Sequence, residues 1–509
     1  MRLTVTNEQM KNAEAAADKS GISYMRLMRN AGEACFGRIS KILGGVEDKT
    51  FVVLAGRGNN GGDGIVIANM LTEARASVIL VFVQDLPKSE TARQCYSIYE
   101  KAVKSCLYVH RKDVVKRAIG SCDAVIDCVF GTGFHGELEE SMADLFEFTE
   151  ENCPGIKISV DVPSGMDSDT GEIAKGAFRP DFTIVLAAMK KGLYSHPAYE
   201  SCGGIMLADI GIPANCYDGC EAVLTDEVLR EFIPERRRVS HKGTYGNMLN
   251  ISGSAFYTGA ALLSTDGALR MGVGLCTLAT PTRVINAIAA AVPETTYLPL
   301  EQDFDGFIND KSVDMIMVEL EKSRYSAILL GCGLGNRKTT ADLTEIVIRN
   351  ADCPVIIDAD GLNSAAGNIN VLKESKKGII VTPHPAEFAR MTGKTVEEIQ
   401  RDRIGMAKAF AKEYGCVTVL KGTNTVIAAP DGQTFVNTTG NAGLAKGGSG
   451  DVLAGMIASL TAQGTELLYA AALGVYLHGL AADHLARTKG LAGILPRDIP
   501  EILPEVLKK

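Results

Sequence analysis

A chain of 509 residues is longer than one ordinary core organises, so two substantial domains are expected. With 46% hydrophobic and 22% charged residues, the composition excludes a disordered or fibrous polymer; a net charge of -9 and no basic block beyond Arg236-Arg237-Arg238 argue against a nucleic-acid partner. Charges interrupt every apolar stretch, so neither a secretory signal nor a membrane span can be drawn, and the thirteen cysteines without a CxxC pair fit free thiols in a reducing compartment: a cytoplasmic protein with no membrane partner.

Met10, Ala13 and Ala17, then Met25, Met28 and Ala31, recur at helical spacing and predict two helices broken at Gly21. FVVLAG (51–56), SVILVFV (77–83), DAVIDCVFG (123–131), IKISVDVP (156–163) and DFTIVLA (181–187) then read as strands of an open, Rossmann-like, doubly wound parallel sheet. Five glycines in the nine residues from Gly56 to Gly64 follow the first strand and open the predicted helix IVIANMLTEA; close backbone approach and free amides there favour a phosphate-bearing ligand. The spacing is GxGNNGGDG rather than GxGxxG, and a plain tight turn is the alternative. Asp127 and Asp161 stand at the carboxyl ends of two further strands, where open α/β sheets gather ligands.

Between about 214 and 246 the strand rhythm lapses into polar sequence, and the domain boundary is placed there. The pair Cys216 and Cys220 reads as two unrelated thiols. A second α/β series follows: NMLNISG (247–253), GLCTLATP (274–281), AILLGCG (327–333), VIIDADG (355–361), GIIVTPHP (378–385), VTVLKG (417–422) and NTVIAAP (424–430). The stretch from Asn441 to Gly455 runs a glycine-rich turn into the helix DVLAGMIASLTA, an arrangement suited to phosphoryl transfer onto an alcohol, with Asp451 taking the hydroxyl proton. An Asp merely capping that helix is the alternative.

The first half resembles the epimerase domain of NAD(P)H-hydrate repair enzymes, on the strength of the 56–64 loop, Asp127 to Glu137 and Asp161 to Asp167. The resemblance implies that Asn59, Asn60, Gly61, Gly62 and Asp63, with Gly131, Thr132, Gly133, Phe134, His135, Gly136 and Glu137, hold the hydrated dinucleotide while Asp161 contacts its nicotinamide part. It also implies potassium on Asn60, Asp127 and Ser164, and assistance to the acid/base group Asp161 from Lys190, which could otherwise be a solvated lysine.

The second half resembles the ribokinase-like dehydratase domain of the same system, through HKGTYGNMLNISGSAFYTGA, GCGLG, DADGLN, TPHPAEFARM, KGTNT and GGSGD in that order; the two resemblances imply domains at 1–216 and 226–505. The implied contacts are Lys421, Gly422, Thr423, Asn424, Thr425 and Gly450 with ADP or ATP, carried with magnesium, and Ala261, Gly333 or Gly335, His384 and the catalytic Asp451 with the hydrated cofactor. The implied function is bifunctional repair: interconversion of the R and S hydrates of NADH and NADPH, and nucleotide-dependent dehydration of the S form through phosphorylation of the C6 hydroxyl. Departures stand at Ala442, Lys446 and the ISGS turn (251–254), and His384 read without the family is a surface loop residue. A vitamin or sugar kinase is the rival, opposed by HPAE (384–387) where such kinases carry NxxE; a binding scaffold without activity is the other. A homo-oligomer is expected.

Overall fold

The computed structural model describes residues 3–99, 106–108 and 111–508. The chain divides into two units, Met1–Glu221 and Ala222–Lys509.

In the first unit, seven parallel strands lie in the order Cys106–Tyr108, Ser77–Phe82, Thr50–Ala55, Ala124–Cys128, Ile156–Val160, Phe182–Leu186 and Gly204–Ala208. The central strands are Val/Ile-rich because helices cover both faces: Thr50–Ala55 is buried from Phe51 onward. Chain order runs outward from Thr50–Ala55 in one direction and then in the other, so its gap with Ala124–Cys128 is a topological switch point, where open α/β sheets leave a crevice.

Two helices precede the sheet, Asn7–Lys19 and Tyr24–Leu43, separated at Gly21 as the periodicity predicts. The first starts at a capping box in which Gln9 N–H donates to Thr6 Oγ1 and Thr6 N–H to Gln9 Oε1. A short parallel pair, Leu3–Val5 with Met189–Lys190, places Val5 opposite Lys190.

The helix after the first strand runs Asn59–Glu73, six residues earlier than IVIANMLTEA suggests, so the second half of the glycine motif is helical. The glycines there serve packing as well as ligand access. A methyl on Gly61 would sit 1.9 Å from Gly56 O, and one on Gly64 would sit 2.8 Å from Cys128 Cβ.

In the second unit, Thr296–Leu300, Leu275–Pro281, Asn247–Ile251, Ala327–Leu330, Val355–Ile357, Ile379–Val381 and Val417–Leu420 form a parallel run. The sheet then turns antiparallel through Val426–Ala428 and Thr434–Val436, beside which Ala222–Leu224 lies parallel. The switch point falls between Asn247–Ile251 and Ala327–Leu330. Helix Ser449–Ala462 is almost entirely buried, as a predominantly apolar helix must be, and glycines set its distance from helix Thr258–Met271. A methyl on Gly455 would meet Ser264 O at 2.0 Å, and one on Gly267 would meet Val452 O at 2.7 Å.

No helix among the described residues is long and apolar enough to cross a membrane, and all twelve cysteines whose side chains are described are free.

Gly455→Ala should therefore cost about 1–3 kcal/mol by forcing two packed helices apart. Calorimetric melting of the full chain checks this, and an unshifted transition for the second unit would show that the helices separate without strain.

Candidate functional site

At the switch point of the first unit lies a cavity of about 460 Å³, a volume suited to a small molecule. Asn59, Asn60, Asp63, Gly131, Thr132, Gly133, Phe134, Asp161 and Lys190 line it. Gly61, Gly62, His135, Gly136 and Glu137 fall outside the lining. Gly62 packs on Met28, and His135 Nδ1 pairs with Asp167 Oδ2 at 2.7 Å on the surface.

Asp161 follows strand Ile156–Val160 with φ +71°, a left-handed conformation uncommon for a residue with a side chain. Its Oδ1 takes a hydrogen bond from Lys190 Nζ at 2.5 Å, and the same ammonium donates to Leu186 O at 2.7 Å. Lys190 is 1% exposed, so the lysine read from sequence as a possible solvated side chain is a buried partner of Asp161. Gly131 leaves room for the other carboxyl oxygen: a methyl there would lie 3.2 Å from Asp161 Oδ2.

Two further carboxyls share the cavity. Burial, then the charge of Asp161 and that of Glu14, hold the Asp63 carboxyl well above the usual carboxylate range, and it makes no hydrogen bond or ion pair among the described residues. Glu14 is raised by burial and then by Asp161, with Lys190 opposing. Three acids thus face one lysine, and burial with like charge favours the protonated form of Asp63 and Glu14.

Beneath the cavity Asp127 is fully buried and its four acceptor positions are filled. Oδ1 accepts from Val129 N at 3.1 Å and Ser164 Oγ at 2.6 Å, while Oδ2 accepts from Ser159 Oγ and Ser164 N, both at 2.9 Å. Burial still raises its pKa. Asn60 Nδ2 donates to Phe130 O at 2.8 Å and Val160 O at 3.2 Å, which leaves the buried Asn60 Oδ1 without a partner.

In the second unit, strand ends collect the chemistry. Asp358 follows Val355–Ile357, and its Oδ1 accepts from Lys421 Nζ at 2.6 Å and Thr382 Oγ1 at 2.7 Å. Lys421 also lies 4.0 Å from Glu387 Oε2. Burial works against the Lys421 charge, but Asp358 and then Glu387 outweigh it and raise its pKa. Burial lifts Glu387 to about 7.

Asp451 stands in the first turn of Ser449–Ala462, whose N-cap is Gly448 with no side-chain cap, so Asp451 is not a capping residue. Burial, then the Asp358 charge, raises it to about 6. Donor atoms of Cys332, Asp358 and Asp451 lie within 4.8 Å of one another, two carboxylates and a thiol brought together from the GCGLG, DADGLN and GGSGD motifs. Gly450 adjoins it: a methyl there would lie 3.3 Å from Lys421 Nζ.

His384 has a structural job. Its Nδ1 accepts from Ala386 N at 3.1 Å and Glu387 N at 3.3 Å, capping helix Pro385–Thr392, while half of its side chain stays exposed. Around the KGTNT turn, Gly422 and Thr423 are exposed, and Thr425 is buried with its Oγ1 donating to Gly422 O at 2.9 Å. Asn424 Nδ2 is buried without a partner. Ala261 is buried against Gly253 of the ISGS turn. The unusual Lys446 is accounted for, since its Nζ donates to Ala492 O at 2.6 Å and Ile494 O at 2.5 Å.

Glu14 and Asp358 went unread in the sequence. Glu14 stands four residues after Met10, on the apolar stripe of its helix, where a carboxylate is out of place; Asp358 ends a predicted strand just as Asp127 and Asp161 do.

Residues 25–192 match the family described as YjeF-related protein N-terminus, and residues 248–505 match NAD(P)H-hydrate dehydratase. The bifunctional NAD(P)H-hydrate repair enzyme Nnr of Moorella thermoacetica is 35% identical over 100% of this chain and 97% of its own. Its counterpart in Escherichia coli K12 is 32% identical over 97% of this chain and 91% of its own. Among solved structures, a ribokinase-like superfamily protein from Enterococcus faecalis is 28% identical, with a TM-score of 0.50 over 56% of this chain and 95% of its own.

Removing the ammonium with Lys190→Met leaves a buried carboxylate uncompensated, so the first unit should lose about 3 kcal/mol of stability at pH 8. Protonation of the freed carboxyl relieves the loss, which should shrink as the pH falls. Denaturant unfolding at pH 8 and pH 5 measures it; equal losses at both would show that the missing charge is not the cause.

Proposed function

The chain belongs to the bifunctional NAD(P)H-hydrate repair enzymes, and from that membership we propose how its two sites divide the work. The first unit epimerises the R and S hydrates of NADH and NADPH; the second dehydrates the S form at the cost of ADP or ATP. The buried Lys190–Asp161 pair in the cavity of the first unit carries the epimerase assignment. Asp451 beside Asp358 and Lys421 carries the dehydratase assignment.

In the epimerase, C6 of the hydrated ring bears a hydroxyl next to the ring nitrogen. Inversion requires that hydroxyl to depart with a proton and water to return to the other face. Asp161 delivers and recovers the proton, and Lys190 holds the carboxyl in place and offsets its charge. The amides and side chains of Asn59, Asn60 and Asp63 and of Gly131 to Phe134 bind the rest of the dinucleotide.

Potassium fits Asn60 and Ser164. The unpartnered Asn60 Oδ1, turned by an amide flip toward the carbonyls of Phe130 and Val160, would join a set of hard oxygens that includes Ser164 Oγ. Asp127, whose lone pairs are filled, contributes its charge through Ser164. A bound cation would supply positive charge for the anionic dinucleotide.

In the dehydratase, Asp451 accepts the proton of the C6 hydroxyl as that oxygen attacks the terminal phosphorus of the nucleotide. Phosphate is a far better leaving group than hydroxide. Its departure from C6, with loss of a proton from C5, restores the double bond and the reduced nicotinamide, leaving AMP from ADP. Amides at the start of Ser449–Ala462 receive the phosphoryl charge, and Lys421 with the KGTNT turn holds the nucleotide. Asp358, beside Asp451, would hold magnesium, which when bound would neutralise the phosphate oxygens.

Incubation with mixed hydrates, potassium, magnesium and ADP or ATP should regenerate NADH completely. Asp451→Ala should abolish regeneration, and Asp161→Ala should leave the R form behind once the S form is spent. No nucleotide-dependent regeneration by the wild type would overturn the proposal. Because Asp451 must be ionised to accept a proton, dehydratase kcat/KM should fall as the pH drops through about 6; a profile flat to pH 5 would remove Asp451 as the base.

A further inference from the structure

We propose that Phe256, Tyr257 and Phe304 form an aromatic ledge that receives the adenine ring of the hydrated dinucleotide in the second unit; the assignment rests on the dehydratase reading above. These aromatic side chains are 71%, 53% and 105% exposed. They are gathered rather than scattered. Ala255 N–H donates to Gly306 O at 3.0 Å, locking the loop that carries Phe256 and Tyr257 to the turn that carries Phe304. That turn is closed by Asp303 N–H donating to Phe307 O at 2.7 Å and Phe307 N–H to Asp303 Oδ1 at 2.9 Å. The Phe256 ring stacks on Phe307 with centroids 5.5 Å apart.

The ledge adjoins the reacting centre through one peptide. The thiol of Cys332 donates to Asp358 Oδ2 at 3.9 Å and lies within 4.8 Å of an Asp451 oxygen, and the next residue, Gly333, makes room for Tyr257: a methyl there would lie 2.6 Å from Tyr257 Cβ. A methyl on Gly335 would lie 2.4 Å from the Phe307 ring. With φ of +66° and +86°, both glycines are needed to seat the aromatics. The hydroxyls of Ser252 and Ser254, on the same loop as Phe256, are buried without partners.

The chemistry of the substrate selects adenine as the occupant. Hydration saturates the C5–C6 bond and puckers the nicotinamide ring, so adenine is the flat π face that remains. The C6 hydroxyl must reach the half-buried Asp451, which directs the other end of the molecule outward. Arg337, with its guanidinium 4.5 Å from the Phe307 ring centroid and also paired with Asp305 at 3.4 Å, supplies a positive charge for the bridging diphosphate.

Steady-state dehydration by the full chain should show KM for the S hydrate of NADH rising about tenfold in Phe256→Ala/Phe304→Ala, as the loss of base stacking predicts. The kcat and the KM for ADP should hold, and Phe256→Trp should restore KM. The S hydrate of reduced nicotinamide mononucleotide, which lacks adenosine, should be turned over equally by wild type and variant. Equal losses with both substrates, a rise in the KM for ADP, or an unchanged KM would each overturn the ledge. So would a lower mass by light scattering with unchanged kinetics, which would make the ledge an interface between copies. Failure of the wild type to dehydrate either hydrate would strike the dehydratase reading instead.

Discussion

Parallel strand pairing is the constraint from which the rest follows. Every strand of a parallel run points the same way, so its carboxyl ends share one edge. Where the chain stops adding strands on one side and begins on the other, two neighbouring connections diverge and leave a gap. Each unit has one such reversal, beside Thr50–Ala55 in the first and beside Asn247–Ile251 in the second. Asp127, Asp161, Asp358 and Lys421 all lie at or just beyond carboxyl ends of strands, brought together by topology although distant in sequence.

Both sites meet the same electrostatic problem with a lysine, buried in the first and partly buried in the second. Lys190 serves Asp161 in the presence of Asp63 and Glu14, and Lys421 serves Asp358 in the presence of Glu387 and Asp451. In each, carboxyls outnumber the cation, so desolvation and mutual repulsion keep at least one acid above its usual pKa. Burial and like charge thereby favour the neutral form of some of these acids, a useful condition for moving protons.

Central strands were legible because both their faces are covered and their sequences are therefore continuously apolar. Edge strands were not. Cys106–Tyr108 has only three residues, Gly204–Ala208 covers an edge, and Thr296–Leu300 carries Pro299, which a sheet accepts at its margin. The antiparallel turn after Val417–Leu420 left no mark either, since Val426–Ala428 is as apolar as its parallel neighbours. At the sites, residues in glycine-rich motifs could be singled out from spacing, whereas Glu14 and Glu387 act through groups far away in the chain. The helical capping by His384 depends on ring orientation, which spacing does not encode.

The tether from Lys446 to the carbonyls of Ala492 and Ile494 reaches almost to the end of the chain. During synthesis, the glycine-rich turn emerges from the ribosome well before the residues that anchor it. The second site therefore cannot be completed until Ala492 to Ile494 have been made, whereas every residue lining the first precedes them by far. A nascent or truncated chain would hold an assembled epimerase cavity beside an unfinished phosphoryl-transfer site, so the two activities mature in the order in which they are encoded.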